Sequence, residues 1–290
     1  MIYITQGSDK SIGIEILLRS LITFPQNKIN KLCLIINKEC LKINLTNLNL
    51  NYDLNKNELK IYNRKLKLIL FDKPKDQSNA LHALLISFNH LKKTDTLITQ
   101  PASKNDFKYK NKNFLGHTEF FRYWFKTDVA MLFTSDRVNL LLLTDHIPLK
   151  QVHKNLDPRM IKRKISLSKN FLQAKNNLRK IYFLGVNPHA GEAGLLGKEE
   201  LKLKKFFKNY PIIPGDSVAI QKLNEKDLIV SPFHDQGLTY FKTINDLYGI
   251  NISLGLPFLR VSVDHGTAPT LFGKNSADIS SMIYLLNTVL

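Results

Sequence analysis

Short apolar runs alternate with longer amphipathic segments along most of this chain, and this alternation limits the folds that the chain can adopt. The apolar runs predict strands at residues 2–5, 31–37, 66–71, 96–100, 131–135, 138–144, 181–187, 228–233 and 251–256, with 262–264 extending the last region. The amphipathic segments predict helices at residues 79–92, 165–180, 198–209 and 277–290. Alternating strands and helices are typical of an α/β fold with a largely parallel sheet, which is the fold class that we predict.

Three polar segments, each directly after a predicted strand, contain a histidine. The histidines are His146, His189 and His234, and they follow the predicted strands at 138–144, 181–187 and 228–233. Ligands of open α/β sheets bind beyond the carboxyl ends of the strands, so the three loops are expected to form one polar site. Three neutral imidazoles there would suit a divalent cation with open positions for substrate or water. Taken singly, each segment can also be a turn without a ligand.

Two of these segments have further features of a binding site. Asp235 stands beside His234, where a carboxylate can fix the tautomer of a metal-bound imidazole. Residues 187–194 contain Pro188, Gly191 and Gly194, a composition that stiffens a turn and allows close approach of the backbone to a ligand.

Other residues are candidates for binding an anion. His117 and Thr118 precede a helix-like segment, and Thr118 is a candidate N-cap, with contact to a substrate as the second interpretation. Lys242 and Arg260 flank the polar loops, and an arginine can bind phosphate or carboxylate through paired donors. The alternative for both cations is a solvated surface charge, because the chain has 42 lysine and arginine residues.

The length and composition exclude several classes of protein. With 290 residues the chain is long enough for two domains or one large one, and no apolar run is long enough for a membrane span. Residues 1–6 are typical of a first strand and not of a signal peptide. Cys33 and Cys40 are the only cysteines, and Cys33 lies in an apolar run, so we expect a cytoplasmic protein without disulfides.

The formal net charge of +18 raises the question of a nucleic-acid partner. The lysines are spread along the whole chain, and neither zinc-finger spacing nor an aromatic RNA-binding signature is present. We therefore expect no nucleic-acid and no membrane partner, and a basic surface would attract anionic metabolites instead. A nucleic-acid-associated protein that keeps the fold without catalysis is the alternative from another function class.

Common nucleotide and hydrolase motifs are absent. No Gly-x-Gly-x-x-Gly follows a predicted strand, no Walker loop is present, and no Gly-x-Ser-x-Gly elbow occurs. Residues 7–13 resemble a phosphate loop only loosely, because they lack its spacing. The sequence thus gives no Rossmann fingerprint.

Several segments, in this order, carry a specific resemblance to one family. They are residues 116–121, 146–149, 185–192, 233–238, 254–260 and 264–268. From about Thr96 to the C-terminus, the chain resembles the 4-hydroxythreonine-4-phosphate dehydrogenases of pyridoxal phosphate biosynthesis. The resemblance implies a two-domain α/β fold similar to isocitrate and isopropylmalate dehydrogenases, which binds NAD without the Rossmann fingerprint. It also implies a homodimer with each site at the subunit interface.

The resemblance implies domain limits and site residues as well. The first domain would comprise residues 1–114 plus 261–290, the second residues 115–260, and the active site would lie in the cleft between them. The implied metal ligands are His146, His189 and His234. The implied substrate contacts are His117, Thr118, Lys242, Asn251 and Arg260. Asp235 and His265 are hypotheses for the general base, and the residues that bind NAD stay unassigned.

The implied reaction is NAD-dependent oxidation of the secondary hydroxyl of 4-phosphooxy-threonine, followed by decarboxylation to 3-amino-2-oxopropyl phosphate. A divalent cation, whether zinc, magnesium, manganese or cobalt, would lower the pKa of the hydroxyl and stabilise the enolate. The chain departs from the family in its opening loop, residues 7–15, and at Asp145, where a threonine is typical. A sister dehydrogenase acting on phosphorylated threonate or erythronate is therefore the alternative.

Overall fold

The computed structural model describes all 290 residues and has strands and α-helices in alternation. The strands are β1 (Ile2–Thr5), β2 (Leu32–Asn37), β3 (Asp53–Leu54), β4 (Glu58–Ile61), β5 (Arg64–Phe71), β6 (Thr96–Thr99), β7 (Lys108–Tyr109), β8 (Lys112–Asn113), β9 (Ala130–Thr134), β10 (Asn139–Leu142), β11 (Ile181–Leu184), β12 (Ile212–Ile213), β13 (Leu228–Ser231), β14 (Ile250–Leu254) and β15 (Leu259–Val263). The helices are α1 (Gly13–Ser20), α2 (Gln26–Ile29), α3 (Lys38–Asn47), α4 (Asn79–His90), α5 (His117–Phe125), α6 (Pro158–Ala174), α7 (Glu199–Phe206), α8 (His234–Asn245) and α9 (Ser280–Val289).

The predicted α/β class is confirmed, and each predicted strand has a counterpart. The sequence pattern missed the short strands β3, β4, β7, β8 and β12, which have two to four residues and little periodicity. The helix predicted at 165–180 begins earlier, at Pro158, because the Asp157 carboxylate accepts a hydrogen bond from the Met160 amide and caps it. It ends before Asn176, whose backbone is left-handed with φ of 52°.

The chain divides into two compact units, one of them discontinuous. Unit 1 comprises residues 1–127 and 256–290, and unit 2 comprises residues 128–255. The second domain that the resemblance implies, residues 115–260, would also include α5 and Arg260. Helix α5 lies in unit 1 because its Phe121, Trp124 and Phe125 rings pack against Phe88 of α4. Arg260 also lies in unit 1, since β15 pairs with β6.

Unit 1 is built on a sheet in the order β15-β6-β1-β2-β5-β4-β3. The first five of these strands run parallel, and the hairpins at β4 and β3 extend the sheet with antiparallel pairs. The strand order reverses beside β1, because β2 lies on one side and β6 on the other. Open α/β sheets bind ligands at such a reversal.

Unit 2 has the strand order β12-β11-β13-β10-β9-β14. Strands β12, β11, β13 and β10 run parallel, whereas β9 is antiparallel to both of its neighbours, β10 and β14. Helix α8 covers one face of this sheet, and its Leu238 and Phe241 side chains join the apolar core that Leu140 and Ile229 provide. This packing fixes the position at which α8 begins, next to the ends of β13 and β10.

Both cysteines are free and buried, in agreement with the expected absence of disulfides. Burial raises the pKa of the Cys33 thiol to about 11 and that of the Cys40 thiol to about 12. No helix of the structure is both long and apolar enough to cross a bilayer.

An ion pair between the buried Asp227 carboxylate and the half-exposed Arg179 side chain lies at the end of the unit 2 strands opposite the histidine loops. The Asp227 carboxylate is fully buried and accepts hydrogen bonds from Arg179, at 2.8 and 2.6 Å, and from the Asn224 amide at 2.9 Å. Burial alone would raise the pKa of this carboxyl, but the hydrogen bonds and the Arg179 charge outweigh it and lower the pKa. Asp227 therefore stabilises the fold at neutral pH, and that contribution is lost as the pH falls below about 4.

We expect Asp227→Asn to lower the free energy of unfolding by about 2 kcal/mol at pH 7, since charge-assisted hydrogen bonds are replaced by a neutral amide. The difference from the unaltered chain should shrink as the pH falls from about 4.5 towards 3, because the carboxyl takes up its proton in the unfolded state before it does so in the native state. Urea unfolding at several pH values measures both effects. Asp53→Asn, which removes one partner of an exposed ion pair with Lys60, is the control and should change little. An equal change in the free energy of unfolding of both variants would contradict the stabilising role of Asp227.

Candidate functional site

The three loops that carry the predicted histidines lie side by side. Strand β13 is parallel to β11 on one side and to β10 on the other, with Leu228 opposite Ile181 and Asn139. The loops after these strands therefore leave the same edge of the unit 2 sheet. Strand direction alone predicted that the loops share one edge, and the observed order of strands makes the three strands neighbours.

His146 and His234 are brought together at this edge. Their ring centroids are 5.4 Å apart, with an angle of 43° between the planes. Zinc binds imidazole nitrogen at about 2.0–2.1 Å, so two rings at this separation can reach one cation between them. The pair thus fits a divalent cation as two of its ligands.

The segment around His234 is not the tight loop that the sequence suggested. His234 is the first residue of α8, with Phe233 as the N-cap. The run appeared loop-like because it contains a glycine, but Gly237 packs closely on Ser231 and Leu140, and this contact brings the helix onto the sheet. Because His234 is the first residue of a helix, its backbone is held more rigidly than it would be in a loop.

Asp235 is positioned to orient this histidine. Nδ1 of His234 lies 2.6 Å from Oδ1 of Asp235. The carboxylate accepts the Nδ1 proton, and Nε2 of the same ring is then free to donate its lone pair to a cation. The arrangement favours an orienting role for Asp235, while its role as general base stays a prediction.

His189 lies in a loop of unusual backbone geometry. The five residues from His189 to Ala193 all have positive φ, between 45° and 80°. Left-handed conformations of this kind cost roughly 1–2 kcal/mol for each non-glycine residue, so the rest of the loop must hold them in place. The His189 side chain is exposed, and the chain contains no group of three histidine, cysteine, aspartate or glutamate side chains that can hold one metal ion. His146 and His234 are adjacent, but a third ligand is not placed beside them within one chain.

A small cavity adjoins the same three loops. Its volume is about 260 Å³, and it is lined by Leu149, Val152, His153, Val186, Asn187, Glu199 and Phe233. The lining combines aliphatic and aromatic side chains with a few polar groups, as small-molecule sites do. This edge of unit 2 thus has both candidate metal-binding side chains and a partly apolar cavity.

Lys242 and Asn251 belong to unit 2 but lie away from the histidine pair. Lys242 is exposed and is eight residues beyond His234, which corresponds to about 12 Å along α8. Asn251 faces Phe133 across β14 and β9, level with Leu140 and two residues before β10 ends. Its side-chain oxygen is buried without a hydrogen-bond partner in the protein, which fits contact with a polar ligand.

In unit 1, His117 begins α5, and Thr118 is buried as its second residue. The predicted N-cap at Thr118 is wrong: Gly116 occupies that position, because its φ of 152° lies outside the helical range. Phe107 packs edge-on against the His117 ring at 4.6 Å. Desolvation and the nearby Arg260 charge hold the pKa of His117 well below its usual value, so this imidazole is neutral at pH 7.

Arg260 is a buried cation. Its side chain is 3% exposed, and Nη2 and Nε donate to the Thr99 hydroxyl at 2.6 and 3.2 Å. The guanidinium also lies 5.7 Å from the centre of the Phe121 ring. Burial lowers its pKa to about 9, so it keeps its charge at neutral pH. A buried guanidinium of this kind is suited to an anionic group.

The His265 ring has both nitrogens engaged within unit 1. Nδ1 lies 3.0 Å from the Gly266 carbonyl, which can only accept, so Nδ1 carries the proton. Nε2 lies 3.0 Å from the Ser281 hydroxyl, which donates to it. A ring held in this way is suited to orient its loop, and its role as general base stays a prediction.

Sequence analysis missed Glu200, which shapes the His189 loop. The Glu200 carboxylate accepts a hydrogen bond from the Asn187 backbone amide at 2.7 Å and lies 3.1 Å from the Asn187 side-chain nitrogen. The signal available in the sequence was a pair of acidic residues, Glu199 and Glu200, at the start of a predicted helix that follows a glycine-rich loop. That pattern is common at helix N-termini, and so it did not single out the contact.

The fold and the site together define a class: an α/β protein of two units with a mostly parallel sheet, an imidazole pair at one sheet edge and a buried guanidinium suited to an anion. The chain belongs to the pyridoxal phosphate biosynthetic protein PdxA family, whose model matches residues 29–289. The match extends further towards the N-terminus than the resemblance read from the motifs.

Individual relatives agree with this assignment. The chain is 36% identical over 209 residues to the 4-hydroxythreonine-4-phosphate dehydrogenase of Colwellia psychrerythraea, covering 68% of this chain and 64% of that protein. It is 38% identical over 205 residues to the enzyme of the same name from Desulforapulum autotrophicum, covering 66% and 60%. The matched region thus spans less than two thirds of the length of these relatives. The crystal structure of the Klebsiella pneumoniae enzyme of that name superposes with a TM-score of 0.73 at 25% identity, covering 99% of this chain and 97% of that one.

Proposed function

We propose that this protein oxidises 4-phosphooxy-threonine at its secondary hydroxyl with NAD and then releases carbon dioxide to give 3-amino-2-oxopropyl phosphate. The observation that carries this proposal is the pairing of His146 and His234 at the sheet edge, in a chain of the PdxA family. The substrate has a hydroxyl for a cation-dependent oxidation and a phosphate for the basic side chains. The net charge of +18 also favours attraction of such an anion.

The residues that would hold a divalent cation are His146 and His234, with His189 as a third ligand. Zinc, magnesium, manganese or cobalt could serve, and imidazole ligands favour zinc or cobalt among these. When bound, the cation lowers the pKa of an alcohol and stabilises negative charge on the oxygen during decarboxylation. Asp235 fixes the His234 tautomer, and this gives the cation a neutral imidazole lone pair.

The remaining side chains bind and orient the substrate in this proposal. Arg260 and Lys242 supply positive charge for the phosphate and carboxylate, with Arg260 acting as the rigid donor because Thr99 holds its guanidinium. The unpartnered oxygen of Asn251 accepts a hydrogen bond from the substrate. Neutral His117 and the Thr118 hydroxyl provide further hydrogen bonds without another full charge.

An NAD site fits unit 1 at the reversal of its strand order. Gln100 follows β6 there, and both polar atoms of its buried amide lack a hydrogen-bond partner. A buried amide without partners is suited to a polar ligand, and a nicotinamide dinucleotide has donors and acceptors to match. Bound NAD would accept the hydride, and the protein would orient the carbon that loses it.

A homodimer completes the proposal. The His146 and His189 side chains are exposed, and the chain lacks a third metal ligand beside the histidine pair. A second copy of the chain would cover these loops, and His189 of one copy would then complete the ligand set at the His146 and His234 pair of the other. Each site would then include residues of both subunits.

The test is an assay of the purified full chain with NAD, a divalent metal and 4-phosphooxy-threonine, followed by NADH absorbance and carbon dioxide release. We expect both products in equal amounts and no reaction after dialysis against a chelator. NADH formed only with phosphorylated threonate or erythronate would favour the sister dehydrogenase. Failure with all of these substrates, together with salt-sensitive binding of nucleic acid, would overturn the enzymatic proposal.

A further inference from the structure

Glu200 is a buried carboxylate without a cationic partner. Glu200 is 2% exposed, and its carboxylate accepts hydrogen bonds from Asn187 alone. Burying an ionised carboxylate is costly unless donors satisfy it, and uncharged donors satisfy it less well than an arginine or lysine would. Such a group weakens the fold relative to an apolar residue, so its presence requires a local structural reason.

The reason lies in the loop that Glu200 contacts. Asn187 comes two residues before His189, and its backbone amide and side-chain amide both point to the Glu200 carboxylate. Gly191, in the middle of the left-handed run, lies so close to Oε2 of Glu200 that any Cβ there would overlap it. The carboxylate thus touches the loop on both sides of His189.

The left-handed run has few other hydrogen bonds to hold it. The Ala190 amide donates to the Asn187 carbonyl at 3.1 Å, the Leu196 amide donates to the Gly191 carbonyl at 3.2 Å, and the Leu195 amide donates to the Glu192 carbonyl at 3.2 Å. The first two of these bonds end on residues that contact Glu200. Release of Asn187 and Gly191 from the carboxylate would therefore loosen the part of the segment that carries His189.

We propose that Glu200 is the positioning residue for the His189 loop: it holds the left-handed backbone through Asn187 and so fixes the direction of the His189 imidazole. The metal part of this inference rests on the proposed function, in which His189 is a cation ligand. The structural part stands on the contacts of the carboxylate alone. Glu200 itself does not touch the substrate or the cation.

The neighbouring Glu199 provides a matched control. It has the same charge and is also in the first turn of α7, and its carboxylate accepts from the Asn187 side chain at 2.9 Å. It does not contact the Asn187 backbone amide. Its carboxylate has other interactions too, since the Asn187 hydrogen bond and the nearby His153 charge help to lower its pKa. Glu199→Gln removes an equal charge while it leaves the backbone contact intact.

Hydrogen exchange on the metal-free protein tests the structural part. In Glu200→Gln we expect the Ala190 and Leu196 amides to exchange about tenfold faster, because one of the two carboxylate oxygens that accept from the Asn187 amides becomes a donor. In Glu199→Gln the same amides should exchange at the rates of the unaltered chain. Unchanged exchange in Glu200→Gln would overturn the proposal without any reference to metal or activity.

Titration with Co²⁺, followed by its visible absorption, tests the metal part. We expect Glu200→Gln to bind Co²⁺ about 10- to 100-fold more weakly, as for other groups that orient metal ligands, and Glu199→Gln to change the affinity little. His189→Ala is the reference for loss of the ligand. When His189→Ala and Glu200→Gln are combined, we expect no loss of Co²⁺ affinity beyond that of His189→Ala alone, because both changes remove the same interaction.

The outcomes separate the two proposals. Normal Co²⁺ affinity in Glu200→Gln, with weak binding in His189→Ala, overturns the positioning role and leaves the metal site standing. Normal affinity in both variants overturns the ligand role of His189 and, with it, the metal part of this inference. Where Glu200→Gln does not fold, Glu200→Asp shortens the side chain and withdraws the carboxylate from the Asn187 backbone amide, and faster exchange with weaker Co²⁺ binding is again the supporting result. If the exchange rates and the Co²⁺ affinity of this variant equal those of the unaltered chain, the positioning role of Glu200 is overturned.

Discussion

Replacing His234 by alanine is expected to lower kcat/KM by about a thousandfold or more, since a cation that polarises the reacting oxygen contributes several kcal/mol to the transition state. The imidazole is one of the two rings that meet at the sheet edge, and Asp235 fixes its tautomer. The fold should persist, because the side chain is only partly buried and lies at the start of α8. Steady-state kinetics and metal content of the same preparation measure the effect.

The control for this variant is His90→Ala. His90 is exposed at the end of α4, its ring stacks on Tyr3 at 5.9 Å, and it is not among the candidate site residues. We expect kcat/KM to stay within about twofold of the unaltered chain. Full activity and full metal content in His234→Ala would remove the histidine pair from the mechanism.

The second large effect is expected for Arg260→Lys, with a rise in KM of about 100-fold, because the paired hydrogen bonds of a buried guanidinium to an anion are lost. The ammonium group of lysine keeps the charge but cannot reproduce two donors in one plane. It would also lose the fixed geometry that the Thr99 hydroxyl gives to the guanidinium. Substrate saturation curves at constant NAD measure the change, and thermal unfolding shows whether the fold is kept.

Arg64→Lys is the matched control for this substitution. The Nε atom of Arg64 donates to the Phe24 carbonyl at 2.8 Å, so this arginine also has a structural hydrogen bond in unit 1. It lies at the start of β5, at the end of the parallel strands opposite the loop after β6. An equal rise in KM in both variants would show a general effect on unit 1 and would contradict a substrate contact at Arg260.

Much of the fold was predictable because burial on both faces leaves a clear mark in the sequence. Runs such as Leu32–Asn37 and Leu228–Ser231 are apolar at nearly every position, as parallel strands between helices must be. Strand β12, in contrast, has only two residues, and they pair with Phe183 and Leu184 of β11. Elements of that size depend on tertiary contacts that no local pattern records.

The candidate site was predictable in its composition but not in its geometry. Each of the three histidines follows a strand, and strand direction alone placed them at one edge. The separation of His146 and His234 depends on the order β11-β13-β10, which local sequence does not specify. The left-handed backbone of the His189 loop was also not predictable, because Ala190 and Ala193 seldom adopt positive φ and have no side-chain signal for it.

The two ends of unit 2 meet. Leu254 pairs with Ala130 across β14 and β9, and a Cβ at Gly255 would lie 2.7 Å from the Asp128 carbonyl. A segment that enters and leaves at one point can be transplanted or circularly permuted without stretching its backbone. Residues 128–255, which contain all three histidine loops, therefore have their two ends close enough for such a rearrangement.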